Sequence, residues 1–245
     1  MASHPEYRSV LAADIAGSAG RGDRALRDIR AVLFTALRAA MERSEIDWTA
    51  CSRHDMGDGI RLIMPPGTPK ARLLHPLGYE LAVRLRAHNS GAAPLAQVRI
   101  RLALHAGDVH VGSDGTTVGH PLEVVARLLD APPARQALAA DPALPLAVIV
   151  SPHFYDETVP QGYPGIDRES FRRVAVTVKE FAGEAWLWLP LAPGPASPQP
   201  EPRPSGLPAP PAPQPGISAG RDLTGVAVIG NGNVIRAGQE TGRQP

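Results

Sequence analysis

The chain of 245 residues predicts an α+β fold: one sheet, mixed or antiparallel, covered by helices. Three observations predict it. Apolar patterns of strand period and of helical period follow one another from residue 5 to residue 190. Some of the strand patterns come as hairpins, which a purely parallel βαβ chain would not contain. Proline then crowds into the stretch 190–215, and this ends the patterned body. The length fits one domain of about 150–200 residues with a tail.

Taken in order, residues 7–15 (YRSVLAADI) form a short apolar strand. Residues 23–43 form a helix, because Leu26, Ile29, Leu33, Leu37 and Met41 recur at helical spacing with arginines opposite. Segments 46–56 and 60–64 flank Gly57-Asp58-Gly59 as a hairpin. Residues 69–88 predict a second helix. Val98, Ile100, Leu102 and Leu104 alternate with Arg99, Arg101, Ala103 and His105, the period of a strand. A Gly107-Asp108 turn and a short strand 109–111 follow. Residues 121–138 have helical periodicity, with Pro121 suited to a first turn. A buried-type strand, 146–150, and a closing strand pair, 171–178 and 184–189, complete the body. The order βαββαβ with added C-terminal strands is ferredoxin-like.

Composition excludes several classes. Hydrophobic residues make up 43% of the chain, charged residues 20%, and the formal net charge is +1. The near-neutral balance argues against a bulk electrostatic binder of nucleic acid or of membrane surfaces. Only four Phe and three Trp leave little for a base-stacking surface. No apolar run approaches the roughly 20 residues of a membrane span. The start, Met-Ala-Ser-His-Pro-Glu, lacks signal-peptide character. Cys51 is the one cysteine, so neither an intrachain disulfide nor a thiolate metal cluster is available. The expectation is a cytoplasmic protein with no nucleic-acid partner and no membrane span.

Two carboxylates stand out. Asp14 ends the first strand and is followed by Gly17 and Ser18, while Asp58 sits at the hairpin tip. In a ferredoxin-like order the first strand and the hairpin adjoin at the sheet centre. The pair could then hold divalent cations, which prefer few carboxylates together with phosphate oxygens and can clamp both oxygens of a phosphoryl transfer. Gly17 and Ser18 would let backbone amides approach a phosphate. The plainer reading of Gly57-Asp58-Gly59 is an ordinary turn. His105 and His110 have no third ligand at zinc spacing, and Trp186 and Trp188 alternate as packing residues.

The segments LAADIAGSAG (11–20), HDMGDGIRLIM (54–64), VRIRLALHAGDVHVG (98–112), VGHPLEVVARLLDA (118–131) and VTVKE (176–180) together resemble the catalytic domain of class III nucleotidyl (adenylyl/guanylyl) cyclases. The resemblance covers nearly all of residues 5–190. It implies that Asp14, Asp58 and the Ile15 carbonyl bind two Mg2+ or Mn2+ ions. It also implies that Arg101 and Lys179 contact the triphosphate of an NTP substrate, that Arg127 stabilises the charge developing at the α-phosphate, and that the active form is a homodimer with shared sites. The chain departs from the family at three positions. Glu123 stands where the family has its transition-state asparagine, and His54 and Thr116 stand where it selects the base. The base, a pyrimidine included, is therefore open. Two functions stand side by side: a cyclase, or a degenerate nucleotide-binding or dimerising adaptor.

The stretch 191–215 is too rich in proline for helix or sheet and predicts a disordered, extended spacer. Beyond it, 216–245 is a separate β-prone segment. Val226, Val228, Ile229, Gly230, Asn231, Asn233 and Val234 lie in VAVIGNGNVIRAG, where β-branched residues and asparagines suit strand stacking. This stretch resembles bacterial amyloid-signalling motifs related to the RIP homotypic interaction motif. That resemblance implies a partner carrying a matching motif, in signalling or antiviral defence.

Overall fold

The structure, a computed structural model, describes residues 4–112 and 116–190. The Pro-rich spacer and the tail positions Val226, Val228, Ile229, Gly230, Asn231, Asn233 and Val234 lie outside the described residues. The elements run β1 (Glu6–Ile15), α1 (Asp23–Arg43), β2 (Ser52–Asp55), β3 (Gly59–Ile63), α2 (Ala71–Leu74), α3 (Leu77–Gly91), β4 (Ile100–Val111), β5 (Thr117–Val118), α4 (His120–Asp130), α5 (Pro132–Ala140), β6 (Leu146–Val150), α6 (Pro152–Thr158), β7 (Phe171–Val178) and β8 (Phe181–Trp188).

Among the described residues the strands form one sheet in the order β2-β3-β1-β4-β6-β8-β7, with β5 paired to β4 off this path. β4 and β6 run parallel and the other neighbours antiparallel, so the sheet is mixed. Its two faces bury different cores. Leu11, Ala13 and Ile15 of β1 pack in one core with α1 and α3, and Val10 and Ala12 in the other with α4 and α5. With both faces covered, every residue from Ser9 to Ile15 is buried, which explains a strand that reads as a continuous apolar run. The helices supply matching stripes: Ile29, Leu33, Leu37 and Met41 of α1, and Leu122, Val125, Leu128 and Leu129 of α4.

Several boundaries differ from the sequence reading, each for a local reason. The helix expected over 69–88 is two, α2 and α3, divided at Pro76, which cannot continue a helical hydrogen-bond ladder. The helix expected over 121–138 is α4 and α5, because Ala131 precedes Pro132 and takes an extended conformation (φ −64°, ψ 140°). Gly107-Asp108 is no turn: β4 runs unbroken from Ile100 to Val111. The first hairpin strand is only Ser52–Asp55, and the last strand begins at Phe181 rather than 184. The short helix α6, capped by the Ser151 hydroxyl accepting from the Phe154 amide at 3.1 Å, has no sequence expectation behind it.

Candidate active site

The β1–β3 ladder sets Asp14 opposite Gly59, so Asp58 arrives beside Asp14. The Ile15 amide donates to the Asp58 carbonyl at 3.1 Å and closes the corner. Glycine is required on both sides of Asp58. Gly57 turns the hairpin at φ +87°, and a methyl group on Gly59 would lie 2.2 Å from the Ala13 oxygen. The hairpin is clamped to α1 by the Arg30–Asp55 ion pair at 2.8 Å.

The segment after β1 is equally fixed. Ser18 Oγ donates to Asp58 Oδ2 at 2.5 Å, and Gly17 has φ +66°. Arg21 spends its guanidinium on four carbonyl oxygens: Gly17 at 2.8 Å, Ala16 at 3.3 Å, Leu95 at 3.1 Å and Gln97 at 2.7 Å. It holds the Gly-Ser segment against the loop that leads into β4. Arg21 is not legible in the sequence, because backbone carbonyl partners leave no trace in a side-chain pattern.

Arg101 stands opposite Asp14 across the β1–β4 ladder. Its Nε donates to Asp14 Oδ1 at 2.9 Å and its Nη2 to Asp14 Oδ2. The pair is largely buried, with 13% and 9% of the two side chains exposed. The Arg101 Nη1 is buried with no hydrogen-bond partner. Burial pushes the Asp14 carboxyl above the usual carboxylate range; Arg101 pulls it down, and the charges of Asp58 and Asp130 push it up. No cluster of three or more His, Cys, Asp or Glu residues converges among the described residues. A cation here would meet two carboxylates, the Ile15 carbonyl and Ser18, an all-oxygen set that suits Mg2+ or Mn2+.

The other expected site residues lie elsewhere. Glu123 and Arg127 are four residues apart on α4 and share a face. Glu123 is well exposed, with His120 Nδ1 at 3.8 Å, and Arg127 Nη2 donates to Glu180 Oε1 at 2.5 Å. Glu180 follows Lys179, which occupies the β7–β8 turn at φ +52°. The register sets Asp14 level with Arg101 and Ala147, and Val150 level with Trp186. The β7–β8 turn therefore lies roughly 25 Å further along the strands than Asp14, at about 3.3 Å per residue. One chain thus gathers Asp14, Asp58, Ser18 and Arg101 in one group and holds Lys179 well away from it, with Arg127 tied through Glu180 to the Lys179 turn. His54 is exposed on β2 opposite Arg61, near the hairpin. Thr116 is exposed just before β5, where its carbonyl accepts from the Gly112 amide at 2.8 Å.

A second polar cluster lies at the opposite end of β1. Tyr7 Oη donates to Glu157 Oε2 at 2.6 Å and lies 2.7 Å from His153 Nε2. Lys70 pairs with the same carboxylate at 2.8 Å and lies 4.8 Å from the centre of the Tyr7 ring. A cleft of about 340 Å³ opens beside them. Nearby, His105 Nδ1 is 2.7 Å from Ser151 Oγ, and burial, with the charges of His153 and His120, pushes this imidazole down to about 4. The charged members of the cluster satisfy one another. The sequence hid it, because His153 and Glu157 belong to α6.

No protein-family model matches the chain, and no curated protein matches it. Solved structures do. An adenylate/guanylate cyclase/hydrolase from Silicibacter pomeroyi superposes with a TM-score of 0.57 at 19% identity, over 78% of this chain and 100% of that one. A guanylyl cyclase matches at 0.54 and 16% identity, over 77% and 93%. The guanylyl cyclase domain of the RhoGC fusion protein from the aquatic fungus Blastocladiella emersonii, in an atypical dimer, matches at 0.51 and 14%, over 78% and 99%. The chain has the fold of adenylyl and guanylyl cyclase catalytic domains.

Proposed function

We propose that the chain is a homodimeric class III nucleotidyl cyclase that converts an NTP to a 3′,5′-cyclic nucleotide and pyrophosphate. The observation that carries the reading is the meeting of Asp14 and Asp58 beside the Gly17-Ser18 segment, with a basic side chain within reach. The separation of Arg127 and Lys179 from that pair supports the dimer. A partner related by a two-fold axis would bring its second group to this chain's first, and the reverse, which gives two equivalent sites.

Asp14, Asp58 and the Ile15 carbonyl would hold two Mg2+ or Mn2+ ions, which supply charge neutralisation of the triphosphate and activation of the ribose 3′-oxygen. Gly17 and Ser18 offer donors to the phosphate chain. Arg101 and the partner subunit's Lys179 hold the β- and γ-phosphates as the leaving group. The ribose 3′-hydroxyl gives up its proton to solvent, its oxygen attacks the α-phosphorus, and the bond from that phosphorus to the bridging oxygen breaks, releasing pyrophosphate. The partner subunit's Arg127 meets the charge that develops there, a stabilisation that acts most strongly in the transition state. His54 and Thr116 are the residues assigned to the base.

Glu123 favours a second reading. A carboxylate beside the reacting phosphate repels it. With Glu123 in the asparagine position the domain would bind a nucleotide, or only dimerise, and serve as an adaptor. In either reading the 216–245 segment, on its Pro-rich spacer, would engage a partner that carries a matching motif. The composition of those residues is the support for this coupling.

The test is a product screen. Purified full-length protein is incubated with each of the four NTPs and Mn2+, with Asp14→Ala as control, and the products are read by mass spectrometry. A 3′,5′-cyclic monophosphate that vanishes in the control is expected, and it identifies the base. No product from a folded, dimeric protein transfers the assignment to the adaptor. If the site is active but weakened, Glu123→Asn raises turnover about tenfold or more, in line with the worth of one well-placed hydrogen-bond donor.

A further inference from the structure

Arg101 grips Asp14 in a way that conflicts with a site ready for cations. Both Asp14 oxygens are engaged by one guanidinium, which neutralises the carboxylate and sets a fixed positive charge where a cation would bind. The grip is incomplete on the arginine side. The guanidinium has five donors in a fixed fork, and Nη1 is buried with no acceptor. Buried donors are almost always satisfied, so this one marks an oxygen still to arrive. The charges agree. Asp14, Asp58 and Arg101 sum to one negative charge, too little to hold two dications without the phosphates that accompany them.

We infer that Arg101 is a latch that couples cation uptake to phosphate uptake. This inference rests on the two-cation reading above. Arg101 holds Asp14 until cations arrive. A divalent cation displaces it, and the freed guanidinium, with Nη1 now satisfied, turns to the phosphate oxygens. Each ligand removes an obstacle to the other, so each raises the other's affinity by the same factor. Cations alone then bind weakly, and the site fills at a lower cation concentration when a phosphate-bearing ligand is present.

Mn2+ binding to the full-length protein, with no nucleotide present, tests this. Free Mn2+ is read by electron paramagnetic resonance for the wild type, Arg101→Gln, Arg101→Lys and Asp58→Asn. If Arg101 competes for Asp14, Arg101→Gln binds Mn2+ about tenfold more tightly than the wild type. Arg101→Lys, which keeps the charge but loses the fork, falls between them. Affinity in Arg101→Gln that is equal to or weaker than the wild type's, while Asp58→Asn still abolishes binding, overturns the latch and leaves the metal site standing. Binding that ignores Asp58 in every form overturns the two-cation reading and the latch with it. Arg101→Gln leaves Asp14 buried without its partner and so risks the fold. The wild type therefore carries a second measurement: the 15N resonance of Arg101 Nε, assigned with Arg101→Lys, shifts on saturation with Mg2+. A resonance that stays in place at saturation overturns the latch as well.

Discussion

Gly59 faces the backbone of Ala13 and Asp14 across the β1–β3 ladder, and the meeting of two carboxylates depends on its lack of a side chain. Gly59→Ala should destabilise the domain by about 1–3 kcal/mol through overpacking, lower the denaturant midpoint, and weaken Mn2+ binding more than a surface glycine substitution of equal stability cost. His105 makes a different prediction. Its imidazole is neutral in the folded protein down to about 4, against an ordinary value of 6.5. The unfolded chain takes the proton first as pH falls, so stability is complete above about 6.5 and is lost between there and about 4. His105→Gln should flatten that limb in thermal melts run from about pH 7 to about pH 4.5. At this scale the sequence was most legible where an acid sat beside glycine at a strand end, as with Asp14 and Asp58. It was least legible where a residue's meaning lies in its partner. Alternation places Arg101 on a face, but cannot say that Asp14 stands directly opposite, since that depends on register between segments 87 residues apart.

The helix α4 carries Glu123 and Arg127 and is seated by Leu122, Val125, Leu128 and Leu129. Leu128 is fully buried, and Leu128→Ala should cost about 2–5 kcal/mol, measured by chemical unfolding. Because Arg127 is its neighbour, the same change should lower turnover even well below the melting temperature. The helices and most strands were legible because their apolar periods are strong. The misread elements have two causes, and the first is a local signal with a tertiary explanation. Gly107 looked like half of a turn, yet a methyl group there would lie 2.8 Å from Pro121 Cγ. The glycine is there to let α4 approach β4, and the strand passes through it. The breaks at Pro76 and Pro132 were written in the sequence and were outweighed by an apolar period that continued across them.

For the whole molecule, the domain limit expected at about residue 190 rests on proline alone and falls where the described residues end, whereas the distance between Asp14 and the β7–β8 turn was not legible in the sequence. That distance follows from the sheet order and the strand register. It makes the dimer testable by complementation. Asp58→Asn and Arg127→Ala should each be inactive alone. After an equal mixture has exchanged subunits, half of the dimers are mixed and one of their two sites is intact, so about a quarter of wild-type activity should return. No recovery from chains shown to exchange would place all the catalytic groups within one chain. The ends of the sheet carry a further consequence. One edge, β2, is four residues long with Arg53, His54 and Asp55 exposed, and the other, β7, exposes Arg172 and Arg173. Short length and charge blunt an edge against the addition of foreign strands. The domain's own edges therefore offer a foreign strand little to pair with.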